Sequence, residues 1–411
     1  MSVVWSIIAF LVIFSVLVVV HEFGHFIVAK ANGIHVTEFA VGMGPKLLHF
    51  KKKGTEYAIR ALPFGGACVF EEEDPFEDEE DEAIDEENPL EGPTRGTTLG
   101  EKIFGAKKKE DEEVSADGVK GVKAEKTAKE DAKDDDFDEE EEGIYGCKFS
   151  DAPLAARIAV VLAGPVFNIL LGFILAMIVV GTCGENPPVI GALIEGYPAE
   201  AAGMQPGDEI ISINGERIYL FSEITLYTLT NRTNDWEVKF RRGDEIQVVN
   251  LSLGDMDGRR VMGIYAGEVV DCANIKIFEY SWYEVRYWLK ASVKSIGMLF
   301  TGRIKKDDVA GPVGMAQVIG TTINETKEYG LPTVIINLVN IALLLSVNLA
   351  IMNLLPFPAL DGGRFVFLIA ELILRRKVPR KFEAIVTLVG FGALMILMVL
   401  VLVNDISKFF R

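Results

Sequence analysis

The chain has 411 residues, of which 49% are hydrophobic, and its mean hydropathy is positive at +0.26. This composition favours a membrane domain with one or two soluble modules over a wholly soluble protein. The formal net charge of −19 is local, because residues 71–143 hold 31 acidic and 10 basic residues and the remainder is near neutral. No basic surface is left that would bind nucleic acid, so the composition excludes nucleic acid as a partner.

Four segments are long and apolar enough to cross about 30 Å of hydrocarbon. The first, residues 3–28, lacks the basic start and small-residue cleavage site of a secretory signal, so it predicts a retained span. The other three are residues 158–181, 332–356 and 385–403. The sequence therefore predicts a multi-pass protein of the cell membrane, with the lipid bilayer as its surroundings.

Basic residues indicate the orientation of these spans. The loop after the first span holds six Lys or Arg residues between positions 30 and 60, and the loop after the third span contains "RRKVPRK" at 375–381. Alternating spans place both loops in the cytosol, with the N-terminus, residues 182–331 and the C-terminus outside. Arg303, Lys305 and Lys306 lie on the outer side and oppose this assignment.

Residues 36–70 show the features of short strands connected by hairpins. The stretch "TEYAIRAL" alternates in polarity, and turn residues recur at Gly44-Pro45, Lys53-Gly54 and Gly65-Gly66. The acidic run that follows repels itself and has too few aromatic residues for a core, which predicts a disordered cytosolic insert. An acidic partner-binding tail is the alternative to a plain solvated linker.

Residues 187–270 predict a soluble module of strands with one short helix at about 199–202. Asn214-Gly215 ends a strand, and Arg242-Gly243-Asp244 is the expected turn of a hairpin. The run "YPAEAAGMQPGDEIISINGE" resembles a PDZ domain of the bacterial protease type. Residues 279–306 alternate aromatic and basic residues, as in an amphipathic helix at the outer membrane surface. A helix packed under the module is the alternative.

The four cysteines contain no CxxC pair, which argues against a cysteine zinc site or a redox motif. We expect the four cysteines to act as ordinary small apolar side chains. If both lie outside the cell, Cys183 and Cys272 would also be free to form a disulfide.

The strongest chemical signal is "HEFGH" at the end of the first span. His21 and His25 lie four residues apart, so a helix presents both imidazoles on one face, at a spacing that suits one tetrahedral Zn²⁺. Glu22 is offset from His21 by about 100° and is placed to accept a proton from a water at the metal; this is the HExxH pattern of zinc hydrolases. A charge in the middle of a bilayer costs roughly 2.5–3.5 kcal/mol, and metal-dependent catalysis explains its presence where core packing does not.

Two histidines leave the metal short of at least one protein ligand. The metzincin pattern would place a third histidine six residues after His25, but Ala31 stands there. The best candidate is Asp361 in "NLLPFPALDGGR", at the cytosolic end of the third span. Pro356 and Pro358 break the helix before it and allow the carboxylate to turn inward.

Several motifs in this order resemble the site-2 protease family: HEFGH, "AGPVFN" at 163–168, the PDZ-like module, "GPVG" at 311–314 and "NLLPFPALDGG". The bacterial branch with one PDZ domain, typified by the regulator-of-sigma-E protease, is the most similar. The resemblance implies an intramembrane zinc metalloprotease with His21, His25 and Asp361 as metal ligands and Glu22 as the catalytic residue. It also implies a membrane-reentrant β-hairpin at about 41–70. The acidic insert departs from the family pattern.

The expected substrates are membrane-embedded helical proteins with a single span, such as anti-sigma factors and signal-peptide remnants. A helical substrate must unwind before its carbonyls are accessible, and a strand edge near 41–70 could pair with the unwound segment. Gly65, Gly66, Asn168 and Asn353 are candidates to contact that substrate, although the two asparagines could equally connect neighbouring spans. Outside the cell, the module would bind new C-termini or exclude proteins with bulky ectodomains.

The predicted fold is therefore a polytopic α-helical membrane protein with four transmembrane helices, a reentrant β-hairpin and an inserted extracytoplasmic PDZ-like α+β domain. An inactive PDZ-bearing scaffold and a metal transporter or sensor are the competing functions. A complete set of catalytic residues disfavours the first, and the presence of only one intramembrane polar cluster disfavours the second. The predicted segments are 1–35 (first span with HExxH), 36–70 (hairpin region), 71–150 (acidic insert), 151–182 (second span), 183–275 (PDZ-like domain), 276–330 (amphipathic helix and GPVG linker) and 331–411 (third and fourth spans).

Overall fold

The computed structural model describes residues 3–71, 146–256, 258–303 and 311–408. The acidic insert, and with it the prediction of disorder, lies almost wholly outside the described residues. The helices are α1 (Val3–Ala31), α2 (Leu154–Cys183), α3 (Pro198–Ala201), α4 (Phe221–Thr230), α5 (Lys276–Phe300), α6 (Pro312–Thr326), α7 (Leu331–Leu354), α8 (Asp361–Leu374) and α9 (Arg380–Lys408). The strands are β1 (Val36–Lys52), β2 (Thr55–Phe70), β3 (Ile190–Leu193), β4 (Glu209–Ile213), β5 (Glu216–Arg217), β6 (Asp235–Arg242), β7 (Glu245–Ser252), β8 (Gly254–Met256), β9 (Arg259–Val261) and β10 (Ile264–Ala266).

Four helices in the described ranges, α1, α2, α7 and α9, are long and apolar enough to cross a membrane. Three of them, α1, α2 and α9, contain the predicted spans and extend them by a few residues, while α7 ends at Leu354, two residues before the predicted end of the third span. Large apolar side chains remain exposed along them; Leu388 and Val389 of α9, for example, are 70% and 67% exposed. Exposing such a surface to water is unfavourable, whereas contact with lipid acyl chains is not. The chain is therefore a multi-pass membrane protein.

Strands β1 and β2 form one antiparallel hairpin whose turn, Lys53-Gly54, has positive φ at both residues, as a two-residue type I′ turn requires. Both strands bend back on themselves. Phe39, for instance, pairs with Cys68 on one side and with Tyr57 on the other. The hairpin is thus a sheet of four short segments in the order 66–70, 36–41, 55–60, 46–52, with bends near the predicted Gly44-Pro45 and Gly65-Gly66 turns.

The module after α2 has an antiparallel sheet in the order β5-β4-β6-β7, with β3 paired to β10. In β6, Trp236, Val238 and Phe240 alternate with polar residues and are buried in the core of the module, as the two-residue side-chain period of a strand dictates. The predicted short helix, the Asn214-Gly215 turn and the hairpin turn at Gly243 are present. Helix α4 and the short strands β8 to β10 were not predicted.

Helix α5 packs between this module and the apolar helices. Val285 is buried among Ala176 of α2 and Leu343 and Val347 of α7. On the module side, Arg286 pairs with Glu223 at 2.5 Å, and Lys290 and Lys294 pair with Glu216. This is the packed helix that was the alternative interpretation of the segment, and its depth in the lipid stays a prediction.

Two helices were missed in the sequence. Helix α6 follows Gly311 directly, with Pro312 at its first position, where the missing N–H of proline costs nothing. Helix α8 has only 14 residues and begins at Asp361, immediately after the proline-containing break that ends α7 at Leu354. The sequence instead predicted a linker for the first segment and part of the loop after the third span for the second.

The disulfide considered for Cys183 and Cys272 is absent. Both thiols are free, Cys183 exposed and Cys272 buried, which agrees with the expectation of ordinary small side chains.

Candidate metal centre

Helix α1 presents two imidazoles on one face, as its periodicity requires. The ring centroids of His21 and His25 lie 4.8 Å apart, and both residues are buried, at 6% and 7% exposure. Their Nε2 atoms lie 3.2 Å apart and so converge on one point. The spacing is what a single metal ion needs.

The connection between α7 and α8 brings a carboxylate to the same point. Asp361 Oδ2 lies 3.0 Å from His21 Nε2 and 3.3 Å from His25 Nε2. Gly362 and Gly363 make this turn possible, because a Cβ at either position would overlap main-chain oxygens of the segment 354–357. The proline-broken end of α7 therefore aims Asp361 into the helix bundle, as the sequence predicts.

These three atoms fit a zinc ion. Tetrahedral ligands at 2.0–2.1 Å from a centre are separated by about 3.3–3.4 Å from one another, close to the 3.0–3.3 Å separations of the cluster. Asp361 Oδ2 is buried and has no hydrogen-bond partner, a costly state that a cation would relieve. Among the described residues this is the only group of three such side chains placed to share a metal.

Helix α2 contacts the Nδ1 atoms of the two imidazoles, on the side of each ring away from the shared metal position. His25 Nδ1 lies 2.8 Å from the main-chain oxygen of Val160, and the amide nitrogen of Asn168 lies 3.2 Å from His21 Nδ1. The Oδ1 of Asn168 is buried without a partner. A half-turn of this amide would let Oδ1 accept a hydrogen bond from His21 Nδ1, leaving Nε2 free for a metal.

The two helices approach closely at two glycines. A Cβ at Gly24 would lie 2.7 Å from the main-chain oxygen of Ala163, and one at Gly164 would overlap His25 Nε2 and lie 2.6 Å from His21 Cε1. Small residues at these points allow the main chain of α2 to pass directly over the imidazoles.

Glu22 faces the β-sheet. The N–H of Cys68, in the edge segment 66–70, donates a hydrogen bond to Glu22 Oε2 at 3.0 Å. A Cβ at Gly66 would lie 3.0 Å from Glu22 Cγ. Glu22 is half-buried, so its carboxylate lies between the histidine helix and the sheet edge.

The other candidate residues fall in different places. Asn353 Nδ2 lies 3.2 Å from His21 Nε2, and Asn168 contacts the same ring. Gly66 is beside Glu22, but Gly65 has φ +82° and faces Met43 instead. The contributions of the Val160 oxygen and the Cys68 N–H were missed, since main-chain groups leave no signal in the residue types.

The centre lies deep in the helix bundle. Gly164 is ten residues along α2 from its first residue, Leu154, which corresponds to about 15 Å at 1.5 Å per residue. The cluster therefore lies within the length of an apolar helix and not at its end.

Comparison with known proteins agrees with this geometry. Residues 9–397 match the model of Peptidase family M50. The zinc metalloprotease RasP of Geobacillus kaustophilus is 34% identical, with 98% of both chains covered. The regulator of sigma-W protease RasP of Bacillus subtilis is 32% identical over 98% of this chain and 99% of the relative. A probable protease, eep, of Enterococcus faecalis is 33% identical over the same shares. This chain therefore belongs to Peptidase family M50, the family of the site-2 proteases.

Proposed function

We propose that this chain is an intramembrane zinc metalloprotease that hydrolyses peptide bonds within the transmembrane segments of single-span proteins. The observation that carries the proposal is the convergence of His21, His25 and Asp361 beside Glu22, among the apolar helices. Membership of a peptidase family supplies the reaction, and relatives named zinc metalloproteases supply the metal.

In this proposal His21, His25 and Asp361 hold zinc. When bound, zinc polarises the scissile carbonyl and lowers the pKa of water towards 7. Glu22 is the general base: it accepts the proton of the attacking water and later delivers it to the leaving amine. The hydrogen bond from the Cys68 N–H orients the Glu22 carboxylate for this task.

A substrate helix must unwind to reach the centre, because its carbonyls are occupied by its own hydrogen bonds. The edge segment 66–70 pairs on one side with 36–41, and its Cys68 N–H points to Glu22. We infer that the unwound substrate lies along this edge as an added strand. Gly66 leaves room for Glu22 at this edge and Gly65 lies at the bend before it, while Asn168 and Asn353 hold polar groups near the cleavage point.

The basic loops support an orientation with the catalytic end of α1 towards the cytosol and the module with PDZ-like sequence on the other side of the membrane. The hairpin region at about 41–70 would enter the membrane from the cytosolic side, and its exposed Leu47, Leu48 and Phe50 favour contact with lipid. The module then either binds new C-termini of substrates already cut outside or excludes bulky ectodomains. Of the two, we favour exclusion by size.

The substrates we propose are anti-sigma factors and signal-peptide remnants. A relative named regulator of sigma-W protease supports the first class. Both classes contain a single apolar helix, which matches a centre that opens within the membrane. The acidic segment has no role in the chemistry of this proposal.

The test is a comparison of wild type with Glu22→Gln in membranes that contain a tagged single-span model substrate. We expect Glu22→Gln to abolish cleavage and to retain stoichiometric zinc, because Glu22 is not a ligand. Quantitative proteomics of membrane-protein fragments from the two strains would then identify the natural substrates. Full cleavage by the variant would remove the proposed base, and no cleavage by the zinc-loaded wild type would favour an inactive scaffold.

A further inference from the structure

A surface pocket of about 310 Å³ lies at the end of α8 that is remote from the metal centre. Its lining combines two leucines, one glutamate and three consecutive basic residues: Leu154, Leu372, Glu371, Arg375, Arg376 and Lys377. The volume is in the range of small-ligand sites. Neither the metal centre nor the proposed substrate path uses this pocket.

Two of the basic residues have no acidic partner in the part of the chain that the structure describes. The carboxylate of Glu371 is taken by the buried Arg157 at 2.6 Å. Lys377 donates to the main-chain oxygen of Ser150 at 2.9 Å and lies 3.7 Å from Asp151. Arg375 and Arg376 make no ion pair with any described residue, and both are exposed. Within the described ranges, no acidic residue compensates the charge of these two guanidinium groups, and guanidinium groups bind phosphate oxygens in bidentate geometry.

The pocket lies at the level where membrane helices begin. Leu154, in its wall, is the first residue of α2, and Arg380, which starts α9, follows the basic triplet by three residues. Helix α8 ends in Leu372, Ile373 and Leu374, which are 55%, 73% and 60% exposed. Cations at this level, with an apolar surface directly below, match an ion pair at the headgroup and acyl chains beneath it.

We propose that this pocket is a binding site for an anionic glycerophospholipid. Arg375 and Arg376 hold the phosphodiester, Lys377 closes the side next to Ser150, and the acyl chains lie against the exposed apolar end of α8. The left-handed conformation of Arg375, at φ 55°, ends the helix and turns the following chain across the pocket. A free phosphate ester would share the polar contacts but would lack the apolar ones.

The experiment uses the full-length protein, delipidated in neutral detergent, with bound lipid counted by native mass spectrometry. The three probes are dioleoyl phosphatidylglycerol, dioleoyl phosphatidylcholine and water-soluble glycerol 1-phosphate. The variants are Arg375→Gln with Arg376→Gln, and Arg376→Gln alone, which leaves the residue that ends α8 unchanged. The charge-matched control is Lys51→Gln with Lys52→Gln, two exposed lysines on β1.

We expect wild type to retain one phosphatidylglycerol with at least tenfold preference over phosphatidylcholine. The double arginine variant should lose about thirtyfold in affinity, at about 1 kcal/mol for each charge, and Arg376→Gln alone about fivefold. The lysine control should stay within twofold of wild type.

Equal binding by wild type and the arginine variants, or an equal loss in the lysine control, would overturn the proposal. Binding of glycerol 1-phosphate as tight as that of the lipid would overturn the assignment to a lipid. Arg376→Gln should still cleave a model substrate in neutral detergent, because catalysis does not depend on the pocket. This measurement separates the lipid proposal from the catalytic one.

Discussion

The Nδ1–H of His25 on α1 donates a hydrogen bond to the main-chain oxygen of Val160 on α2, over 2.8 Å. A carbonyl oxygen only accepts, so in the neutral ring the proton is on Nδ1 and the lone pair is on Nε2. That lone pair points to the position shared with His21 and Asp361. The contact between α1 and α2 therefore fixes both the tautomer and the ring orientation that a metal ligand needs.

Because this contact requires close approach, the first prediction concerns Gly164. Gly164→Ala would place a methyl group on top of His25 Nε2 and beside His21 Cε1. We expect zinc affinity to fall about tenfold to a hundredfold, the range seen when groups that support metal ligands are disturbed. Competition with a chelator of known affinity measures this. The control is Gly392→Ala on α9, where the added methyl meets nothing within 4 Å. Unchanged zinc affinity in Gly164→Ala would contradict the arrangement.

The second prediction separates a ligand from a base. Asp361→Asn replaces a charged oxygen ligand by a neutral amide, so both the zinc content and the cleavage of a model substrate should fall. Glu22→Gln is the matched control, since it also removes one carboxylate charge next to the histidines but should retain zinc. The measurement is zinc per chain by elemental analysis after purification without chelators. Full zinc occupancy in Asp361→Asn would point to another third ligand.

The third prediction concerns the sheet edge. In Gly66→Ala the new Cβ would lie 3.0 Å from Glu22 Cγ and 3.2 Å from the main-chain oxygen of Ala40. The strand cannot yield easily, so the Glu22 side chain is displaced. Small errors in the position of a catalytic group can cost about a hundredfold, and we expect cleavage to slow by about tenfold to a hundredfold with zinc content unchanged.

A control for this change is Gly297→Ala, a helical glycine of α5 with open space at its Cβ. Its cleavage rate should match that of wild type. If Gly66→Ala instead loses zinc, the substitution acts on the metal centre, and the assignment of Gly66 to the support of Glu22 is wrong.

The convergence of His21, His25 and Asp361 was largely predictable from the sequence because a candidate metal site constrains residue types. Two histidines in an apolar span leave a bound metal short of at least one protein ligand. Asp361, which follows a proline-broken helix end, was the best-placed acidic residue to supply it. The turns of the hairpin region were predictable for a similar reason, since Lys53-Gly54 and the neighbouring glycines adopt left-handed backbone conformations.

The remainder depends on tertiary packing. Helix α8 has 14 residues, too few to register as a span, and its first turn follows directly on the prolines. Helix α6 was hidden because GPVG has the composition of a linker, yet the N–H of Gly314 is bound by the buried carboxylate of Asp405, 91 residues later, at 2.8 Å. Such a helix N-terminus is stabilised by a side chain from another helix, and no local pattern reports it.

The last prediction concerns the module and pH. Asp208 is buried, and both of its carboxylate oxygens accept hydrogen bonds from Arg242, at 2.8 and 2.7 Å. Burial alone would raise the pKa of Asp208, but the bonds from Arg242 and from the N–H of Gln205 outweigh burial and hold the pKa below its ordinary value. A carboxylate with a lowered pKa in the folded state stabilises the fold at pH values above its unfolded pKa, about 3.9, and this stabilisation is lost as pH falls through the folded pKa.

We therefore expect Asp208→Asn to lower the free energy of unfolding of the module at neutral pH. The loss should be smaller than that of a fully buried ion pair, since Arg242 is partly exposed and water screens its charge. Hydrogen exchange of the β4 and β6 amides in the full-length protein measures it between pH 8 and 3.5. The difference in free energy of unfolding between wild type and variant should be constant above about pH 5 and should become smaller below about pH 4. Asp244→Asn, in the exposed turn of the same module, should show no such difference, and a pH-independent difference in Asp208→Asn would mean that the carboxylate charge contributes nothing.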